Sequence, residues 1–226
     1  MYWAQKTKAE CVSNLIQRDK YFCIRKNLKV VYDGDVTDEE KNTNKFWKVD
    51  PLVRSVKTGC LNPKPQVVAI DEQMISLWGH CLVRQVIKTK PNPCGLKNFV
   101  VAAPDGLPLD FFVYQGKGET IVDDKRFKLI DVDGKAVLKL LSTFSCEVLV
   151  YMDRYFNFEH LLDLLHSERE ATGTGSLIQI TIPKKYKLRS DIDLKKEGRR
   201  AINKIISSDR QVTIVKWFDN KAVILM

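Results

Sequence analysis

Val67-Val68-Ala69-Ile70-Asp71-Glu72-Gln73-Met74 is the stretch on which the reading of this chain turns. Four apolar residues run directly into two carboxylates. A second stretch repeats the arrangement: Val148-Leu149-Val150-Tyr151-Met152 runs into Asp153-Arg154-Tyr155-Phe156. Each run is short and rich in β-branched or aromatic side chains, which predicts a buried strand that delivers an Asp at its C-terminal end. Carboxylate oxygens are the ligands that hard divalent cations take, so Asp71 and Asp153 are the candidate metal ligands. Neighbouring strand residues alternate faces, so Glu72 is expected to point away from Asp71.

Outward from these two runs, short apolar segments predict strands at Cys81–Ile87, Phe99–Ala103 and Leu109–Tyr114. Pro104-Asp105-Gly106 reads as the hairpin turn between the last two. Val137 to Leu141 reads as helical, and Phe158, Leu161, Leu162, Leu164 and Leu165 outline an amphipathic helix after the second carboxylate run. Strands, helix, strand, helix in this order indicate an α/β layer fold and are compatible with a ribonuclease H-like core. Before this core, helical patterns run through Cys11, Leu15 and Ile16, through Phe22, Ile24 and Leu28, and from Phe46 to Val56. Pro51 stands early in the last of these, where its missing N–H costs little. The polar stretch Asp33–Glu40 reads as a loop. Near the end, Gln211–Trp217 and Ala222–Met226 read as strands around an Asp219-Asn220 turn.

The chain has 226 residues and a formal net charge of +9, enough length for a sizeable core and enough Lys and Arg to favour an anionic partner. Most of that excess is local. From Lys184 to Arg210 there are ten Lys and Arg against four Asp and Glu. Within it Lys184, Lys185, Lys187, Lys195, Lys196, Arg199 and Arg200 are the candidate DNA-binding residues, a cluster suited to neutralising phosphates. The six cysteines, Cys11, Cys23, Cys60, Cys81, Cys94 and Cys146, include no C-x-x-C pair, which argues against a zinc knuckle. Scattered thiols with no secretory signal fit a reducing compartment, and each reads as a small buried hydrophobe. No apolar stretch is long enough to span a bilayer, so no membrane partner is expected. Gly173-Thr174-Gly175 lacks the third glycine of a dinucleotide fingerprint, and Gly116-Lys117-Gly118 lacks the phosphate-loop pattern. His80, His160 and His166 form no metal-binding spacing.

Several segments taken in order resemble the piggyBac-type transposases and the host proteins derived from them. Val68 to Met74 resembles that family's first catalytic strand, and Tyr151 to Phe156 its second. Gly79, Lys90-Pro91 and Gly95-Leu96-Lys97 resemble a Gly followed by a Lys-Pro-x-x-x-Gly-x-Lys segment. Leu109 to Lys117 resembles its aromatic strand ending in Tyr-x-Gly-Lys. Ala171-Thr172-Gly173-Thr174 is similar to Ala-Thr-Gly-Thr, and Val215 to Lys221 to a Trp-x-Asp-x-Lys region. The resemblance covers nearly the whole chain.

It implies a ribonuclease H-like core in which three Asp residues bind two Mg²⁺ or Mn²⁺ ions for strand cleavage and transfer. Asp71 and Asp153 match the first two. The third lies in a Gly-Gly-Val-Asp segment that does not occur before Met226, and Asp219 belongs to the earlier Trp-x-Asp region. Arg154 stands where the family has Asn, Gly175-Ser176 where it has Val-Arg, and His80 where it has Arg.

The resemblance therefore implies a chain truncated at both ends. Residues 1–57 would be the end of a helical dimerisation and DNA-binding domain. Residues 58–172 would be the ribonuclease H-like core, and residues 173–226 a mainly β, basic insertion segment. The function expected is that of a nuclear, transposase-derived DNA-binding protein, inactive as this chain because the third metal-binding Asp is missing, and then without a cofactor. The alternative is a fragment of an active cut-and-paste transposase acting at TTAA sites. DNA is the implied partner, and a homodimer is left open.

Overall fold

The structure is a computed structural model that describes residues 3–6, 8–60, 65–88, 90–128, 130–144, 147–209 and 211–226. Cys146 and Arg210, both named above, lie outside the described residues. The chain divides into two compact units, one ending at Val56 and the other beginning at Lys57.

The first unit is helical: α1 (Glu10–Ser13), α2 (Arg18–Asn27), α3 (Asp38–Thr43) and α4 (Asp50–Gly59), the last of which runs past the division. Trp3 holds the early helices through aromatic packing on Tyr21 and Phe22, with centroids 5.1 and 6.3 Å away, and its indole N–H donates to the Ile16 carbonyl at 2.9 Å. The polar stretch expected to be a loop runs into the start of α3. Thr37 and Glu40 form a capping box there, which satisfies two free N–H groups that the sequence alone leaves unpaired. The helix expected from Phe46 starts only at Asp50, with Pro51 at its second position. No described residue of this unit is fully buried.

The core lies in the second unit. Its larger sheet contains β1 (Val67–Ser76), β2 (Gln85–Val86), β3 (Cys94–Ala102), β4 (Pro108–Val113), β5 (Val148–Met152) and β6 (Ala171–Gly175), and its helices are α5 (Val132–Leu141) and α6 (Glu159–Arg169). β1, β3 and β4 form an antiparallel meander, with β2 beside the start of β3. The chain then passes through α5 to β5, parallel to β1, and through α6 to β6, parallel to β5. The hairpin turn at Pro104–Gly106 is found where expected, closed by the Gly106 N–H on the Ala103 carbonyl at 2.9 Å. The strand expected over Cys81–Ile87 shrinks to Gln85–Val86.

The sheet is two-faced, as alternation requires. Val68, Ile70, Val148, Val150 and Met152 face inward with Leu138, Leu161 and Leu165 of the helices, all buried. Val67, Ala69 and Tyr151 are exposed on the other face. The Asp131 carboxylate caps α5 by accepting from the Gly134 N–H at 2.8 Å. Glu170 ends α6 in a left-handed conformation, φ 51°.

A smaller antiparallel sheet follows the helix α7 (Asp191–Glu197): β7 (Ile202–Ile206), β8 (Thr213–Phe218) and β9 (Ala222–Leu225). Leu177, Val212, Ile214, Ile224 and Met226 form its core. The two sheets are joined where Gly175 and Met226 exchange a pair of backbone hydrogen bonds, 2.9 and 3.0 Å. β6 was not legible as a strand, and it straddles the 172/173 border read from the sequence.

Gly175 lets β6 lie close against β5. A Cβ there would stand 2.1 Å from the Met152 carbonyl oxygen, a backbone atom with nowhere to go. Gly175→Val is expected to cost about 1–3 kcal/mol by forcing β6 off β5. A thermal midpoint equal to wild type in that variant would contradict the close approach.

The cysteines differ from expectation. Among the described residues all are free thiols, but only Cys94 is buried, whereas Cys11 and Cys23 are exposed on short, thinly packed helices.

Candidate functional site

Asp71 and Asp153 come from adjacent parallel strands. The pairing of β1 with β5 ends at Ile70 opposite Met152, so each Asp is the first residue beyond the last rung. Both continue the face that bears Val67, Ala69 and Tyr151, away from the core. Asp71 is not at the end of its strand, however. β1 runs on to Ser76 because β3 continues to pair with it on the other side. Asp71 therefore sits at an internal step in the sheet, where one neighbour stops and the other does not.

Glu72 follows alternation, half-buried where Asp71 is exposed. It pairs with Lys90 at 2.7 Å. Burial acts to raise its pKa, but the hydrogen bond and charge of Lys90 outweigh this and hold the carboxyl below its usual value. Asp71 moves the other way. Burial of its carboxyl raises the pKa, and the Glu72 carboxylate adds to the rise against the Glu72 backbone N–H, which donates to Asp71 at 2.7 Å.

Lys90 lies on the turn between β2 and β3, whose base is tied by the Ile87 N–H to the Pro93 carbonyl at 2.7 Å. Its ammonium is bonded to Glu72 and feels the charges of both Asp71 and Asp153. Lys97, seven residues on, acts electrostatically on Glu72 and pairs with Asp133 at 2.5 Å. Gly95 between them lies against β1 so closely that a Cβ would be 2.2 Å from the Ile75 carbonyl oxygen.

Around Asp153, Ser176 donates its hydroxyl to the carboxylate at 3.4 Å, a long bond. Asn157, fully buried, donates to the Gly175 and Ser176 carbonyls at 2.8 and 3.3 Å and so ties the loop after β5 to the end of β6. Phe156 fills the core beneath. Arg154, next to Asp153, turns to the Tyr155 ring, 5.1 Å from its centroid.

As a metal site the arrangement is partial. Asp71 and Asp153 are side by side, exposed and of the right chemistry for two ligands of a hard cation. Among the described residues no cluster of three or more His, Cys, Asp or Glu side chains is placed to hold a metal ion. Glu72 is occupied by Lys90, and His80, His160 and His166 are exposed and apart from any such cluster.

The basic segment divides into bound and unbound cations. Lys185 pairs with Glu159 of α6 at 2.5 Å, and Arg199 with Asp219 at 3.2 Å. Arg189 pairs with Glu197. Lys184, Lys187, Lys195, Lys196, Arg200 and Lys204 are exposed and have no ion pair among the described residues. Lys216 is a structural lysine that the sequence reading passed over. It is 1% exposed, and its ammonium donates to the Arg189 carbonyl at 2.8 Å and pairs with Asp191 at 2.6 Å. It pins the approach to α7 onto β8. Its place in the inward series Ile214, Lys216, Phe218 was the available signal.

The family model described as Transposase IS4 matches residues 1–226, the whole chain. The chain belongs to that transposase family. Its fold is similar to that of a cryo-EM structure of the piggyBac transposase synaptic complex with hairpin DNA, at a TM-score of 0.77 and 17% sequence identity. The match covers 98% of this chain and 45% of that one, so this chain spans less than half the length of the solved transposase. The comparison with curated proteins returns no match. No helix among the described residues is long and apolar enough to cross a membrane.

Proposed function

We propose that this chain is a piggyBac transposase-derived DNA-binding protein acting in the nucleus, in which residues 1–226 alone do not cleave DNA. The observation that carries this reading is the set of exposed cations between Lys184 and Lys204 that have no ion pair among the described residues, in the same unit as a pair of carboxylates to which no described residue adds a third ligand. The sheet order β4-β3-β1-β5-β6, an antiparallel meander followed by two parallel crossovers, supports a ribonuclease H-like core over 58–172. Residues 1–57 are then the end of a helical dimerisation and DNA-binding domain, and 173–226 the basic insertion. The solved structure of similar fold is a complex with DNA, which supports DNA as the partner.

Mg²⁺ or Mn²⁺ bound between Asp71 and Asp153 would supply charge for activating an oxygen nucleophile and stabilising a leaving oxygen. The chain's own contribution is to hold these two carboxylates on adjacent strands. The second reading, a segment of an active cut-and-paste transposase acting at TTAA sites, is favoured by that side-by-side placement and by the 45% coverage of the solved chain.

The test is a cleavage assay on purified 1–226 with Mg²⁺ or Mn²⁺ and piggyBac-type end DNA. No nicking is expected, together with salt-sensitive binding. Reproducible nicking abolished by Asp71→Ala would move the conclusion to the second reading.

A further inference from the structure

We propose that the cleft between β6 and β8 is a docking slot for one extended strand of a partner polypeptide. The strand lies in line with β9, antiparallel to β6 and β8, and joins the two sheets into one.

The end of β9 sets the width of the slot. Leu225 pairs with Val215 on one edge and with Ser176 on the other. On the second of these edges the Leu177 N–H donates to the Ile224 carbonyl at 2.8 Å, and Gly175 and Met226 exchange their pair of bonds. Here β6 and β8 stand one strand apart. Past Met226 the two walls run on with no described strand between them. Gly173, Thr174, Gln211, Val212 and Thr213 line a cavity of about 410 Å³ beside Leu162. An adjoining cavity of about 360 Å³ carries it on along Ala171 and Thr172.

Both walls present backbone. The N–H and C=O of Gly175 turn to Met226, so alternation turns those of Gly173 and Ala171 to the same side, into the cleft. On β8 the Val212 N–H donates to the Ser207 hydroxyl at 2.9 Å, and the Val212 carbonyl accepts from the Ser207 N–H at 2.8 Å, both on the β7 side. The groups of Thr213, the next residue, therefore turn the other way, into the cleft. Donors and acceptors that face each other across one strand's width are matched by a polypeptide backbone. The side-chain pattern of the occupant follows from β9. Ile224 and Met226 are buried while Leu225 is 40% exposed, so a strand in line with them buries every second residue. In that register its first buried side chain faces Gly173 and Val212. Gly173 brings no side chain there, and Leu162 of α6 comes up beneath it, 2.4 Å from where a Cβ would stand. The partner segment is thus extended, with apolar residues at alternate positions and polar residues between them.

The experiment adds a fluorescein-labelled peptide, Lys-Thr-Val-Thr-Val-Lys, to the full 1–226 chain and follows anisotropy. Saturable binding is expected, together with slower amide hydrogen exchange in segments 171–174 and 211–214. Two further peptides carry N-methyl groups, one on both valines and the other on both threonines. The first blocks pairing with β6 and the second pairing with β8. Each is expected to bind about tenfold more weakly, since two backbone hydrogen bonds are lost. An ordinary sheet edge uses one side of a peptide, so full affinity in either methylated form overturns the slot. Absence of saturable binding overturns it as well. Protection of the same two segments by duplex DNA, or by raising the protein concentration, with none from the peptide, overturns it in favour of nucleic acid or a second copy of the chain. Leu162→Lys, which places a charge in the cleft, is expected to abolish binding. The methylated peptides test the slot on wild-type protein, whatever that variant does to folding.

Discussion

Replacing Lys184, Lys187, Lys195, Lys196 and Arg200 together with Gln is expected to lower duplex DNA affinity by on the order of a thousandfold at about 0.1 M salt. If all five reach phosphates, the slope of log affinity against log salt becomes shallower by about 4.5, since each neutralised phosphate contributes roughly 0.9. These five are chosen because none has an ion pair among the described residues. The matched control is Lys185→Gln with Arg199→Gln. Those side chains are already held by Glu159 and Asp219, so their loss should move the slope far less. Fluorescence anisotropy over a salt series measures both. A five-site variant with the wild-type slope would place the DNA surface elsewhere on the chain. All five side chains are exposed, so the substitutions should leave the thermal midpoint within a few degrees of wild type.

Phe156→Ala is expected to destabilise the second unit by about 3–5 kcal/mol. The ring is completely buried and stands edge-on to Phe99, with centroids 6.1 Å apart. It lies three residues past Asp153, and its N–H closes the turn onto the Asp153 carbonyl at 3.0 Å. The cavity left behind would therefore loosen the turn that presents the second carboxylate. For a unit of this size the shift in thermal midpoint should be about 10 °C, at roughly 2–4 °C per kcal/mol. Calorimetry on the purified chain checks it. A loss below about 1 kcal/mol would mean that the loop after β5 does not depend on this ring for its position.

The parts of the fold legible from sequence are those whose residues face a single environment. β5 was readable to the residue because Val148–Met152 is an unbroken apolar run, and α6 because its leucines repeat at helical spacing. β1 was readable only as far as Ile70. Its two edges end at different residues, and nothing local in Asp71-Glu72-Gln73-Met74 reports that β3 pairs on to Ser76. β6 was missed because Ala-Thr-Gly-Thr-Gly is a poor strand sequence by propensity. Its glycines serve instead to let α6 and β5 approach, which is information held by the partners. In α3 the signal was present in Thr37 and Glu40, but a helix polar on every side has no apolar stripe to draw attention to it.

The candidate site was legible in its members and not in its connections. Asp71 and Asp153 were readable because each follows its apolar run, and the structure sets them beside each other. The link from Glu72 to Lys90 joins residues on different elements, and no periodicity encodes it. Among the basic residues, composition counted charges but could not separate Lys185 and Arg199, already paired, from Lys195 and Lys196, which are not. Lys216, just beyond that segment, was not singled out, although it is 1% exposed.

The paired hydrogen bonds between Gly175 and Met226 have a bearing on how the chain is made. β6 can join β5 as soon as α6 has folded, because the three are contiguous. On its outer edge only Gly175, its last residue, gains a backbone partner, when Met226 emerges some fifty positions later in synthesis. Unpaired strand edges are where nascent chains join one another. The end of β6, tied to the loop that carries Asp153, is therefore paired late. Without Ile224 and Met226 both that end of β6 and the apolar core of the small sheet would be uncovered.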